Sequence, residues 1–157
     1  MSRRNQIQLT DAEVDAYLHE PGHTLNVASF GPDGGIHLVA MWYGFVEGRI
    51  AFHTYGKSQK MQNFRRDPRF TALVETGSRY EELKGVELVG TVELIDDLDW
   101  KLALVASSGE RYPSSTSTHR RVDDPVARAA FLSKRVGVAL NVTRVVSWDH
   151  GKLGGRY

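Results

Sequence analysis

The chain contains no cysteine, which removes disulfides, thiolate nucleophiles, zinc–cysteine sites and cysteine-held iron–sulfur clusters together. Nor is there an excess of either charge: 20 Lys+Arg stand against 19 Asp+Glu. No long-range field therefore draws the protein to polyanions or acidic membranes, and any anion site has to be local. A nucleic-acid-binding domain, which needs a basic bias, is disfavoured. No apolar run approaches the roughly 20 residues that span a bilayer. The opening MSRRNQIQLT lacks the apolar stretch of a secretory signal, so the cytoplasm is the expected compartment.

What is present suits a folded protein. At 157 residues, with 41% hydrophobic and 25% charged, the chain is expected to form a single domain over residues 1–157 with a real core. Thr10 with Glu13 three residues on is a capping-box pattern, and Pro21-Gly22 supplies a stop, so a short helix is expected between them. His23 to Phe30 and Ile36 to Tyr43 are β-rich runs around the turn-forming segment Gly31-Pro32-Asp33-Gly34-Gly35, and read as a hairpin. Arg49 to Thr54 continues the meander after Glu47-Gly48. A short helix starts near Ser58 and stops at Asp67-Pro68, because a residue before proline leaves the α region. Arg69 to Thr76 is a fourth strand.

Gly85 to Ile95 is the longest strand candidate, with Val86, Leu88, Val92 and Leu94 on one face. Gly90 shares that face and marks a bulge or a close backbone approach. Asp97 to Ser107 places Leu98, Leu102 and Val105 on one helical face. Residues 107–124 are a polar tract without apolar periodicity, read as a flexible loop within the domain. Asp124-Pro125 opens another helix with Ala129, Leu132 and Val136 near one face. Val136 to Val146 is the last strand, followed by an aromatic anchor, Trp148. Strands with helices at ends and corners predict an α+β, mainly β, small barrel.

The segment with the clearest chemistry is IAFHTYGKSQKMQNFRRDPR, Ile50 to Arg69. An apolar strand runs through Thr54 and a basic turn into a helix whose N-cap is Ser58. The first turn of a helix carries unpaired N–H groups and the positive end of the dipole, which suits an anion. Lys57 and Lys60 add charge-assisted donors. Gly56-Lys57-Ser58 imitates a P-loop triplet, but the earlier glycine that motif requires is Ala51 here, so a nucleotide triphosphatase is not expected. His37 and His53 fall on neighbouring predicted strands; a third ligand is not evident, and no metal site is expected. No nucleophile–histidine–carboxylate arrangement is present, so catalytic residues are unassigned.

On these residues the chain resembles the pyridoxamine 5′-phosphate oxidase-like, FMN-binding split-barrel superfamily, in particular its flavin and deazaflavin (F420) oxidoreductase branch. The carriers are Thr54 at a strand end, Ser58, Lys60, the NFRRDPR close at Asn63 to Arg69, the Glu82 to Asp97 run ELKGVELVGTVELIDD and the terminal VVSWDHGKL. The resemblance implies a six-stranded split barrel that pairs as a homodimer, with a flavin-type cofactor at each side of the subunit interface. Lys57, Ser58, Gln59 and Lys60 would hold the phosphate, His53 and Thr54 would contact the cofactor, and Val39, Met41 and Trp42 of the second strand would line its ring. FMN, with one terminal phosphate, is slightly preferred. F420, a phosphodiester with an acidic tail, would need further cations, for which Arg65, Arg66 and Arg111 are the candidates. Gln59 stands where the oxidase proper often has arginine, so pyridoxamine phosphate is not the expected substrate. The function implied is an oxidoreductase that moves hydride to or from a small planar molecule; the alternative is a non-catalytic flavin or tetrapyrrole (haem or biliverdin) binding protein, with the 107–124 tract closing over the ligand.

Overall fold

The computed structural model describes residues 3–113 and 124–155. Seven antiparallel strands form one sheet: β1 (Leu25–Phe30), β2 (Ile36–Met41), β3 (Gly44–Val46), β4 (Arg49–Tyr55), β5 (Arg69–Thr76), β6 (Lys84–Ile95) and β7 (Arg135–Asp149). Among the described residues the helices around it are α1 (Arg3–Ile7), α2 (Asp11–His19), α3 (Gln59–Arg66), α4 (Leu98–Arg111) and α5 (Pro125–Leu132). Short 3₁₀ turns cover Tyr80–Glu82 and His150–Leu153.

The order across the sheet is β2-β1-β5-β6-β7-β4-β3. Its two edges, β2 and β3, are consecutive in the chain and joined only by Trp42 and Tyr43. Three Cα steps from Met41 to Gly44 reach at most about 11 Å, so the sheet must curl until its edges nearly meet. It becomes a split barrel, closed by the chain without a ladder between the edges. The predicted second strand, Ile36 to Tyr43, ends at Met41 and is followed by a short strand that was not expected, β3, so the barrel has seven strands where six were expected. The Glu47-Gly48 turn between β3 and β4 has φ of 53° and 73° at its two residues, the twist-matched geometry for a tight hairpin.

Alternation along each strand sorts side chains into the barrel and out of it. Leu25, Val27, Phe52, Val74, Val86, Leu88, Val138 and Leu140 fill the interior, with Tyr17 and Leu18 of α2 and Met61 and Phe64 of α3 in the same core. The capping box on α2 is formed as expected, Thr10 accepting from the Glu13 N–H and Glu13 from that of Thr10. Outside, α4 lays Trp100 and Leu104 over Val46, Ala51 and Ala139. The expected face of this helix is not the buried one: Trp100, Lys101, Leu104 and Arg111 are buried while Leu98 is exposed. Lys101 is accommodated because its ammonium donates to Asp96 Oδ1 at 2.6 Å and to the carbonyls of Leu132 and Arg135, each at 3.1 Å. The helix also runs through Arg111, so residues 107–111 of the expected loop are helical; residues 114–123 of that tract lie outside the described residues.

Gly90 meets both expectations. Thr143 is an extra residue on β7 opposite the Val89/Gly90 step, and a Cβ on Gly90 would fall on the Asn141 carbonyl oxygen.

Candidate functional site: the β4–α3 corner

Thr54, the last inward-facing residue of β4, is 5% exposed. Lys60 sits in the first turn of α3 and donates from Nζ to Thr54 Oγ1 at 3.1 Å. Ser58 Oγ lies 3.4 Å from the same oxygen. Ser58 does occupy the N-cap with extended backbone, but its hydroxyl makes no capping bond; it faces Thr54 and Lys60. The structure therefore gathers three of the expected residues at one point.

The electrostatics of that point are unbalanced. Lys60 is half-buried, and burial pushes its pKa below the ordinary lysine value. Among the described residues no carboxylate stands within ion-pair distance of it. A desolvated cation held by a neutral hydroxyl is poorly compensated, and an anion supplied from outside would form short charge-assisted hydrogen bonds to it.

The remaining expected residues are placed differently. Lys57 is exposed on the turn. Gln59 donates from Nε2 to Asn63 Oδ1 at 2.8 Å, so its amide runs along the helix, away from the Lys60 cluster. His53 alternates to the outer face, edge-on to Phe131 of α5 with 6.3 Å between centroids. Val39 and Met41 turn towards the barrel, opposite Val27 and Leu25. Trp42 is 48% exposed and stacks on Tyr112 at 4.8 Å with 13° between planes. Tyr112 is itself fixed, donating from its hydroxyl to the His23 carbonyl at 2.6 Å and accepting from the Tyr43 N–H at 3.2 Å. Trp42 is thus the member of the trio that offers a firmly backed ring to the outside.

The three arginines considered for an acidic tail are already engaged. Arg65 donates to the Gly56 carbonyl at 2.8 Å and Arg66 to that of Phe30 at 2.7 Å. Arg111 is 6% exposed, bonds the carbonyls of His19 and Glu20 at 3.0 and 2.9 Å and lies 4.2 Å from the centroid of Tyr43. It neutralises the negative end of α2 and belongs to the core. His37 and His53 likewise part company: β2 and β4 are not neighbours in the sheet, and the two side chains alternate to opposite faces. Among the described residues no group of three His, Cys, Asp or Glu could hold a metal ion.

Two residues at this corner were given no role from the sequence. Asn63 is wholly buried; it donates to Ser29 Oγ at 3.0 Å and accepts from Gln59 and, at 3.1 Å, from Arg66. It fastens α3 to β1, and its i, i+4 spacing from Gln59 is the signal that would have found it. Arg135 lies opposite Tyr55 in the β4–β7 ladder, half-buried, with its guanidinium carbon 4.1 Å from the Phe131 ring centroid.

A curled antiparallel sheet closed into a split barrel, with short helices at its corners, is the architecture of the pyridoxamine 5'-phosphate oxidase-like proteins. The family profile described as pyridoxamine 5'-phosphate oxidase matches residues 10–149, and the chain belongs to that family. The conserved hypothetical protein Rv2991 from Mycobacterium tuberculosis is 35% identical with a TM-score of 0.85, covering 100% of this chain and 95% of that one. An F420 reductase matches at 22% identity and a TM-score of 0.61, over 82% of this chain and 93% of that one. The haem storage protein HutZ from Vibrio cholerae matches at 12% and 0.64, over 90% and 97%; these last two likenesses are of fold alone. No curated protein matches the chain. Among the described residues no helix is long and apolar enough to cross a membrane.

Proposed function

We propose that this protein binds a flavin-type cofactor, FMN or the deazaflavin F420, by its phosphate at Thr54, Ser58 and Lys60, and acts as an oxidoreductase on a small planar substrate. The observation that carries the reading is the half-buried Lys60 ammonium, which has a hydroxyl partner at 3.1 Å and no carboxylate among the described residues. The family, and the fold shared with an F420 reductase, support reading that anion as a cofactor phosphate. Such a cofactor would supply the hydride chemistry, while the protein orients it and controls solvent. Lys60 and Ser58 would hold the phosphate, Lys57 would add charge from the rim of the turn, and the Tyr112-backed indole of Trp42 would give a planar ring a surface to lie against.

The site is completed, in this reading, by a second copy of the chain. On β2 the outward residues Ile36 and Leu38 are 63% and 66% exposed. Ile36 borders a groove of about 400 Å³ over Ala28, Phe30, Thr71, Val89 and Thr91. Contiguous apolar surface of this kind marks an interaction face, and a second copy of this sheet is the partner that would cover it. Residues 1–157 then act as one domain within a homodimer.

Titration with FMN and with F420, followed by fluorescence, tests the binding; turnover of the reduced cofactor with candidate acceptors tests the activity. Saturable binding with reoxidation by an acceptor is expected. Tight binding without turnover would indicate storage, and absence of binding by both cofactors would end the proposal.

A further inference from the structure

Beside the end of β4, on the opposite face of the sheet from Thr54, β7 carries a second under-compensated cation. Arg135 is the first residue of β7. Its backbone is held firmly: its carbonyl accepts from Lys101 at 3.1 Å, and the preceding Lys134 carbonyl accepts from the Gly56 N–H at 3.0 Å. Its side chain is stacked on Phe131 at 4.1 Å. Yet among the described residues that guanidinium has no carboxylate and no hydrogen-bond acceptor. Burial without such a partner lowers its pKa, as it does for Lys60.

A guanidinium whose face rests on an aromatic ring and whose N–H edge is unused is pre-organised for an anionic oxygen. Arg65 and Arg66 each donate to a backbone carbonyl and Arg111 lies in the core, whereas the half-buried Arg135 guanidinium makes no hydrogen bond among the described residues. Tyr55, opposite it in register, is 47% exposed and shares its face. Thr54 and Arg135 alternate to opposite sides of the sheet. A single phosphate seated at Thr54 and Lys60 therefore cannot also reach Arg135; a ligand with a second anionic group, joined by a spacer that crosses the 55–58 turn, can.

We propose that Arg135, backed by Phe131 and flanked by Tyr55, forms a second anion subsite that selects a cofactor with an acidic extension beyond its first phosphate. This rests on the cofactor reading above, refines it, and reverses the preference for FMN drawn from the sequence. The test is fluorescence titration of the full chain and of Arg135→Gln and Lys60→Met with two probes, FMN and F420 bearing its glutamate tail. Arg135→Gln removes no hydrogen bond of its side chain, and an unchanged melting temperature confirms that it folds.

The expected result is that Arg135→Gln weakens F420 about fivefold or more, less so at high salt, and leaves FMN within about twofold, as for loss of one charge contact. Lys60→Met weakens both. If Arg135→Gln leaves F420 binding unchanged, or weakens both probes equally, the subsite is overturned while the Lys60 site stands. If Lys60→Met changes neither while Arg135→Gln weakens F420, the phosphate site is overturned and the Arg135 subsite remains. A wild-type chain that binds neither probe overturns both.

Discussion

Lys60 reaches back six residues to donate to the Thr54 hydroxyl at 3.1 Å, and this bond ties the first turn of α3 to the last inward residue of β4. It places a desolvated ammonium where a helix begins, with no carboxylate among the described residues to balance it. Natural sites of this kind sacrifice stability for a binding function.

Replacing Lys60 with Met should therefore stabilise the ligand-free protein, by about 0.5–1 kcal/mol, while weakening cofactor binding by about tenfold or more. The pH dependence follows from the direction of the shift. The folded pKa of Lys60 lies below the ordinary value of 10.5, so between the two the unfolded chain holds more protons than the folded one. The cost of the charged form is fully present below the folded pKa and is relieved as pH rises through that window. Melting temperatures of wild type and Lys60→Met should converge as pH approaches 10.5; a constant gap would show that the ammonium is not the source.

Asn63→Leu should destabilise the fold by about 2–3 kcal/mol, because it leaves the buried Ser29 hydroxyl and the donors of Gln59 and Arg66 without their partner. Urea unfolding measures this. Loosened from β1, α3 would also present Lys60 less accurately, so the variant should lose cofactor affinity even under conditions where it is fully folded.

Gly90→Ala should cost about 3 kcal/mol, at the upper end of overpacking effects, since the new methyl would meet the Asn141 carbonyl oxygen and backbone cannot rotate aside. By contrast Gly109→Ala, where nothing lies within 4 Å of an added Cβ, should be neutral or stabilising within its helix. Equal thermal shifts for the two would contradict the bulge geometry.

Glu13 accepts from the Thr10 N–H at 2.7 Å and from Lys152 at 2.7 Å, and the Lys152 bond first, then the backbone bond, lowers its pKa from 4.5 to about 2. Its contribution to stability is present above pH 4.5 and is lost as pH falls towards about 2. Glu13→Gln should flatten the acid limb of the stability curve over that window and lower the neutral plateau only slightly, as for an exposed ion pair.

Local chemistry was legible in the sequence wherever one residue type has one geometric use. Thr10 with Glu13, Asp67 before Pro68, and Gly90 within a strand each announced a cap, a stop and a close approach, and each is found. The short strand β3, Gly44–Val46, was not legible. Three residues are too few to show a period, and only the demand that one chain serve both edges of a curled sheet makes them a strand. The buried face of α4 was misread because Lys101 and Arg111 look like surface residues; carbonyls distant in sequence, of Leu132 and Arg135 for Lys101 and of His19 and Glu20 for Arg111, accept from them. The same long-range satisfaction removes Arg65, Arg66 and Arg111 from the binding corner and leaves Arg135, on the last strand, as a cation there. Thr54, Ser58 and Lys60 were readable together because strand alternation and the first helical turn fix their directions within seven residues.

The most direct measurement is a crystal structure of the protein grown with FMN or F420. The account predicts phosphate oxygens within hydrogen-bonding distance of Lys60 Nζ and the hydroxyls of Thr54 and Ser58. A cofactor phosphate bound elsewhere, with Lys60 still donating to Thr54 alone, would contradict it.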